Sequence, residues 1–348
     1  MGHWRSWLAR FHGMEEVIGS NPICSTSILS SIRLTLLYNR FMNKKTTLNK
    51  RVKTNKPLIV LLAVSASFFF IFSGWLWWTR LYQNPERVFH TMLANSLSTS
   101  SITRQVSQAA DGNSLDQLIR LDLGTQNRSR IVSTLEQSAG SSQTSVSTES
   151  IGTTDQDYSR YTRIQTNQKD ADGETLDFSG VLNIWGESSP ANSAGAGQAR
   201  YLNEALLGIV PFGNLSSSER ESLLTYINDN QIFKTDYNAV ARTTQDGRSV
   251  YVYNVTIEPG SYIVMLQEFT KALGVDPVSG LDQQSYADAP QLQIAMSVDT
   301  LSQQLVKIVY AGGGRQESYS GHGLTEPIVL PEQTIPLDKL QSRLQAIN

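Results

Sequence analysis

Val250–Leu273, "VYVYNVTIEPGSYIVMLQEFTKAL", joins a strand to a helix and so holds both halves of the fold in one stretch. Ser249–Ile257 alternates apolar and polar residues as a strand, and its hairpin partner is Ala239–Thr244 about a turn at Asp246-Gly247. Tyr262–Leu273 repeats at helical spacing instead, with Ile263, Leu266, Phe269, Thr270 and Leu273 on one face. Beyond it, strands are predicted at Gln291–Val298, Gln304–Ala311 and Arg315–Gly321, then a Pro-punctuated run and a last helix, Leu337–Ile347.

Outward in the other direction, Tyr201–Val210 and Ser217–Asn228 read as helices. The second opens with "SSSERE", a Ser cap ahead of a Glu-containing first turn. Ser188–Ala199, "SSPANSAGAGQA", is a small-residue loop. Earlier still, period two rules from Ser101. Ile102, Arg104, Val106 and Gln108 begin a series continued by Leu115–Leu123, Arg130–Gln137, Thr144–Ser150, Tyr158–Thr166 and Phe178–Trp185. Asp111-Gly112-Asn113, Gly140 and Asp172-Gly173 mark turns between them. Pro85–Leu97 is an amphipathic helix with Pro85 in its first turn, where the missing N–H does no harm.

Leu58–Trp78, "LIVLLAVSASFFFIFSGWLWW", has no ionisable residue over 21 positions. As a helix it is roughly 31 Å long at about 1.5 Å per residue, the thickness of a bilayer's hydrocarbon core. Six Lys and Arg and no acid lie in Met42–Lys56, and Trp75, Trp77, Trp78 and Tyr82 crowd the far end. This asymmetry predicts a cytoplasmic N-terminus and an extracytoplasmic remainder. A cleaved signal peptide is the rival reading, but the apolar run is too long for one and "WLWWTR" has no small-residue cleavage pattern. The predicted organisation is therefore a basic cytoplasmic arm at 42–57, a single transmembrane helix at 58–78 and an extracytoplasmic domain at 80–348.

Residues 1–41 do not fit that plan. Ile18-Gly19-Ser20-Asn21-Pro22 can be encoded by a sequence containing the conserved arm of a transfer RNA gene, and Ser6-Trp7-Leu8-Ala9-Arg10 by one resembling its D-arm. The expectation is an upstream segment translated from such a gene, with Met42 the true start; a flexible cytoplasmic tail is the alternative. Cys24, the sole cysteine, falls in this stretch, so no disulfide framework and no lipid-modified Cys anchor is available.

Net charge of −2 hides a polarised distribution: Arg80–Asn348 carries 19 Lys and Arg against 29 Asp and Glu. An acidic domain without a basic cluster repels phosphate backbones, which argues against nucleic acid as a partner. His90 and His322 have no neighbouring ligand at metal-site spacing. Asp170–Glu174, "DADGE", lacks the later acid of a calcium loop and reads as a turn. "YSGHGL" around His322 is not a nucleophile elbow, and Ala311–Arg315 lacks the Lys-Ser/Thr of a phosphate loop. These patterns predict no metal, no cofactor and no enzymatic activity.

The element order gives an α+β class. "VYVYNVTIEPGSYIVMLQEFTKAL" together with "LQIAMSVDTLSQQLVKIVYAGG", Leu292–Gly313, and "YSGHGLTEPIVLPEQ", Tyr319–Gln333, resembles the LolA-like half-barrel superfamily. That superfamily includes bacterial lipoprotein carriers and LppX/LprG-type lipoproteins. The resemblance implies a curved antiparallel sheet wrapped around helices, a bacterial envelope setting and an apolar interior. Trp185, Leu206, Ile209, Phe212, Leu224, Met265 and Phe269, with Leu207, Val210 and Leu223, are the expected lining of a cavity for a lipid or other apolar envelope molecule. A transmembrane helix replaces the family's lipid-modified Cys or free solubility. The alternative expectation is a solid core whose surface docks envelope proteins.

Overall fold

The computed structural model describes residues 56–77, 82–170, 172–188, 200–275, 278, 280–286 and 288–347. The predicted upstream segment, residues 42–55 of the predicted arm, and residues 189–199 of the predicted small-residue loop lie outside the described residues. Two units are distinguished. One contains helix α1 (Lys56–Trp77) and the other begins at Gln83 and holds every later element.

Helix α1 is 22 residues long. Its side chains are described at Leu61 and Val64–Trp75 only; among the described residues no helix is long and apolar enough to cross a membrane. Phe68, Phe69, Phe70, Ile71 and Phe72 are all exposed. Five consecutive positions at 3.6 residues per turn go once around a helix, so α1 shows apolar side chains on every side.

The second unit is α+β. Helix α2 (Pro85–Ser96) starts on Asn84, whose side-chain oxygen accepts the Arg87 amide at 3.1 Å, with Pro85 in the first turn as read from the sequence. Five strands then run in an antiparallel meander: β1 (Ser101–Ala110), β2 (Asn113–Asp122), β3 (Arg128–Ala139), β4 (Ser142–Gly152) and β5 (Asp157–Thr166). Short β6 (Gly186–Ser188) follows on that edge. Helices α3 (Arg200–Leu206) and α4 (Ser217–Asp229) come next, the latter with a complete capping box between Ser216 and Glu219.

β7 (Phe233–Thr235), β8 (Ala241–Gln245), β9 (Arg248–Ile257), helix α5 (Pro259–Ala272), β10 (Leu292–Asp299), β11 (Leu305–Tyr310) and β12 (Arg315–Ser320) form the second half. β1 pairs with β12, which fuses the two meanders into one curved sheet. It is closed on the far edge by β13 (Ile335–Pro336), parallel to β6 and leading into helix α6 (Leu337–Gln345). The β8–β9 turn is tight because Asp246 and Gly247 both take positive φ, 49° and 75°, the geometry that matches strand twist in a two-residue hairpin.

Two elements differ from expectation. Phe178–Trp185 is not a strand: Asp177 accepts the Ser179 amide at 2.9 Å and Asn183 has φ of 60°, so the chain turns twice, and only Leu182 makes a bridge, to Tyr161. The strand begins one residue later, at Gly186. The helix expected over Tyr201–Val210 stops at Leu206, because the segment after it turns its carbonyls onto the sheet.

One apolar cluster fills the hollow of the sheet. α2 contributes Val88, Phe89, Met92 and Leu93, α5 contributes Tyr262, Met265, Leu266 and Phe269, and the strands add Ile102, Val106, Ile119, Tyr253, Met296 and Ile308. Each such side chain is worth about 1.5–3 kcal/mol when fully buried, so this cluster is the main source of stability. A smaller cluster of Ile151, Tyr158 and Ile328, with Trp185 and Leu330 packed on it, is separate.

Candidate functional site

The segment from Leu207 to Leu215, between α3 and α4, is irregular and, apart from Asn214, buried, and its apolar side chains are part of the main cluster. Two of its backbone amides reach α2 and its exit: Gly213 donates to the Ser96 carbonyl at 3.1 Å and Leu215 to that of Leu97 at 3.0 Å. Its beginning is held by two side chains from beneath. Arg104 of β1 donates from Nη1 to the Leu207 carbonyl at 3.1 Å and from Nη2 to the Ala205 carbonyl at 3.2 Å. Tyr262 of α5 donates its hydroxyl to the Gly208 carbonyl at 2.5 Å.

Arg104 points inward because its register places it beside Ile119 of β2 and Tyr319 of β12, both buried. On β12 the alternation continues: Arg315, Glu317 and Tyr319 face the interior while Gln316, Ser318 and Ser320 face solvent. Glu317 is fully buried and is the hub of a polar network. It accepts Tyr310 and Tyr319 hydroxyls at 2.6 Å each, and Arg315 at 2.7 Å from Nη2 and 3.1 Å from Nε. The Arg315 guanidinium also lies 4.9 Å from the centre of the Tyr310 ring. Phe212 stacks on Tyr319 with ring centres 5.3 Å apart, and so couples the irregular segment to the network.

Burial, and then the Glu317 charge, holds the Tyr310 and Tyr319 phenols well above their ordinary range; Tyr262 is raised for the same two reasons in the same order. All three stay protonated and serve as donors. His322, whose ring contacts Phe212, is lowered by burial and sits 3.1 Å from the Leu305 carbonyl through Nε2. The arrangement is an apolar cluster crossed by a few oriented donors, each held by an internal acceptor.

Of the residues expected to line a cavity, Leu206, Ile209, Phe212, Met265 and Phe269 come together in the main cluster, with Leu207, Val210 and Leu223. Leu224 is partly buried and packs against it. Trp185 is elsewhere, in the smaller cluster, with the Arg160 guanidinium 4.6 Å from its ring centre. Arg104, Tyr262, Tyr310, Arg315, Glu317 and Tyr319 were not among the expected residues. The available signal was "RQESYS", a strand that alternates a charged or aromatic residue with a small polar one. Asp170 accepts the Asp172 and Glu174 amides at 3.0 and 2.8 Å, as a turn does. Among the described residues no three of His, Cys, Asp and Glu are grouped to hold a metal ion.

Neither a protein-family model nor a curated protein matches the chain. Among solved structures it is similar to that of LprF from Mycobacterium bovis, at 14% identity over 72% of this chain and 96% of that one, with a TM-score of 0.36.

Proposed function

We propose that the chain is a membrane-anchored, extracytoplasmic binding module that holds a lipid or other apolar envelope molecule and performs no catalysis. The carrying observation is that part of its largest apolar cluster is supplied by the irregular segment Leu207–Leu215, held in place by a few hydrogen bonds. Displacing such a segment uncovers apolar surface without breaking a helix or a strand, and buried apolar area then supplies affinity. The anchor rests on the uncharged run Leu58–Trp78 and its basic flank, and is supported by the exposed apolar side chains all around α1. A helix apolar on every side belongs in a membrane or a core.

Native mass spectrometry of the full chain released from detergent micelles tests the binding reading. Co-purifying species with lipid masses are the expected result, and a bare chain under mild release defeats it. A second reading, docking of an envelope protein, is favoured by Leu324 and Val329, 87% and 79% exposed on the run after β12. Cross-linking from those two positions distinguishes it.

A further inference from the structure

We propose that Arg104 recognises the anionic end of an amphiphile, so that the ligand of the half-barrel is a carboxylate- or phosphate-bearing lipid and not a neutral one. This rests on the binding reading above and names the ligand class for the same site. Two arginines are buried on the inner face, Arg104 of β1 opposite Tyr319 and Arg315 of β12 four positions further along, opposite Gln108. Arg315 has its carboxylate, Glu317. Arg104 has none: among the described residues no acidic oxygen lies within 4.0 Å of it.

Among the described residues its hydrogen-bond acceptors are the two neutral carbonyls of Ala205 and Leu207, and its Nε, also buried, has no partner there. Of these two arginines, only Arg315 has a carboxylate within ion-pair distance among the described residues. An uncompensated buried ion costs several kcal/mol, and an interior that keeps one is complementary to an incoming opposite charge. A guanidinium edge made of Nε and one Nη matches two oxygens of a carboxylate or phosphate in a single plane. An anion placed there meets the free Nε and takes over from the Ala205 carbonyl at Nη2. Its chain is then directed among Leu206, Ile209, Phe212 and Phe269.

Gly208 sets how closely the segment approaches Arg104. A Cβ there would sit 2.2 Å from Arg104 Nη1, so any larger residue would have to push the guanidinium aside. The Leu207 carbonyl stays on Nη1 and the Gly208 carbonyl on the Tyr262 hydroxyl, which leaves the Ala205 carbonyl as the group to be exchanged.

The test uses the full chain in phosphatidylcholine nanodiscs, photolabelled with a diazirine-bearing sixteen-carbon fatty acid or with its methyl ester. Label on the chain is counted relative to label on the nanodisc scaffold protein, which corrects for partition into the bilayer. The expected result is acid labelling at least about tenfold above ester, with the ratio falling to about one in Arg104→Met and surviving in Arg104→Lys. A parallel pair, lysophosphatidate against monoacylglycerol, distinguishes phosphate from carboxylate as the preferred anion. Equal labelling by acid and ester, and by the two members of the parallel pair, in the unaltered chain overturns the inference while leaving apolar binding intact, whatever the variants do. Absence of label from all four probes overturns the binding reading itself.

Discussion

Gly152 at the end of β4 lies directly under the backbone of Leu202 in α3: a methyl group added at Gly152 would be 2.2 Å from the Leu202 amide nitrogen and 2.8 Å from the Tyr201 carbonyl carbon. α3 rests across β2, β3 and β4, so this contact sets how closely the helix can approach the sheet. Gly152→Ala must push backbone against backbone, with no flexible side-chain end to yield. The expected destabilisation is about 3 kcal/mol, at the upper end for overpacking. At about 2–4 °C per kcal/mol for a domain of this size, thermal unfolding should drop by roughly 6–12 °C. An unchanged melting temperature would mean that α3 is not docked there.

Glu317 predicts a non-additive pair with Arg315. Glu317→Gln leaves the buried Arg315 guanidinium without its counter-charge, and breaking one side of such a pair costs about 3–5 kcal/mol. Arg315→Met alone strands the carboxylate in the same way. The double variant Arg315→Met, Glu317→Gln removes both charges, and its loss should be well below the sum of the singles. Chemical denaturation of the four proteins supplies the cycle. Additive losses would show that the two groups do not act as a pair.

These polar positions mark the boundary of what the sequence makes legible. Local signals read well because their physics is local: Pro85 at a helix start, the Ser216 and Glu219 capping box, the Asp246-Gly247 hairpin. Apolar residues such as Phe269 and Met265 announce burial by their chemistry. Arg104, Arg315 and Glu317 do the reverse, since a charged residue alternating in a strand reads as the solvent face, and only the pairing of β1 with β12 reveals which face is inside. Trp185 is placed apart from the others. Its bulk predicts burial but not against which cluster, and the turns at Asp177 and Asn183 carry it away from the main hollow. The closing strands β6 and β13 are too short, at three and two residues, to show any period.

Asp157 makes the docking of α3 depend on pH. Its carboxylate accepts the Arg200 amide at 2.6 Å and the Tyr201 amide at 3.2 Å, at the very start of that helix. Burial pushes the carboxyl up to about 6, against the pull of the two amides and of the Arg200 charge, and the Glu204 charge adds to the rise. Glu204, on α3 itself, is raised by burial too, with Arg200 opposing. An acid whose folded pKa is raised binds more protons in the docked state, so docking weakens as pH rises from about 4 to about 6 and levels off above. For Asp157 the span is on the order of 3 kcal/mol. Amide exchange in α3, corrected for its intrinsic rate, should show greater protection at pH 4.5 than at pH 7. Asp157→Asn should flatten the difference, and greater protection at pH 7 would contradict the assignment.

The anchor reading predicts behaviour that a globular helix would not share. Phe68 stands near the middle of the uncharged run, and its ring is 74% exposed. On insertion scales an Arg at a helix centre costs about 2.5–3.5 kcal/mol, enough to tip a marginal span out of the bilayer. The unaltered chain should therefore stay with membranes in alkaline carbonate, and Phe68→Arg should shift a large part of it to the soluble fraction. Orientation depends on the other feature, the six basic residues of Met42–Lys56. With them, protease added outside the cytoplasmic membrane should digest the domain after Gln83. Their joint replacement by Gln should leave a fraction protected, because the charge bias that holds the N-terminus inside is gone while the apolar run still inserts. If the unaltered domain resists external protease, or appears in the medium cut free near Trp78, the apolar run is not an anchor with that orientation and the lipid-facing role proposed for the domain loses its setting.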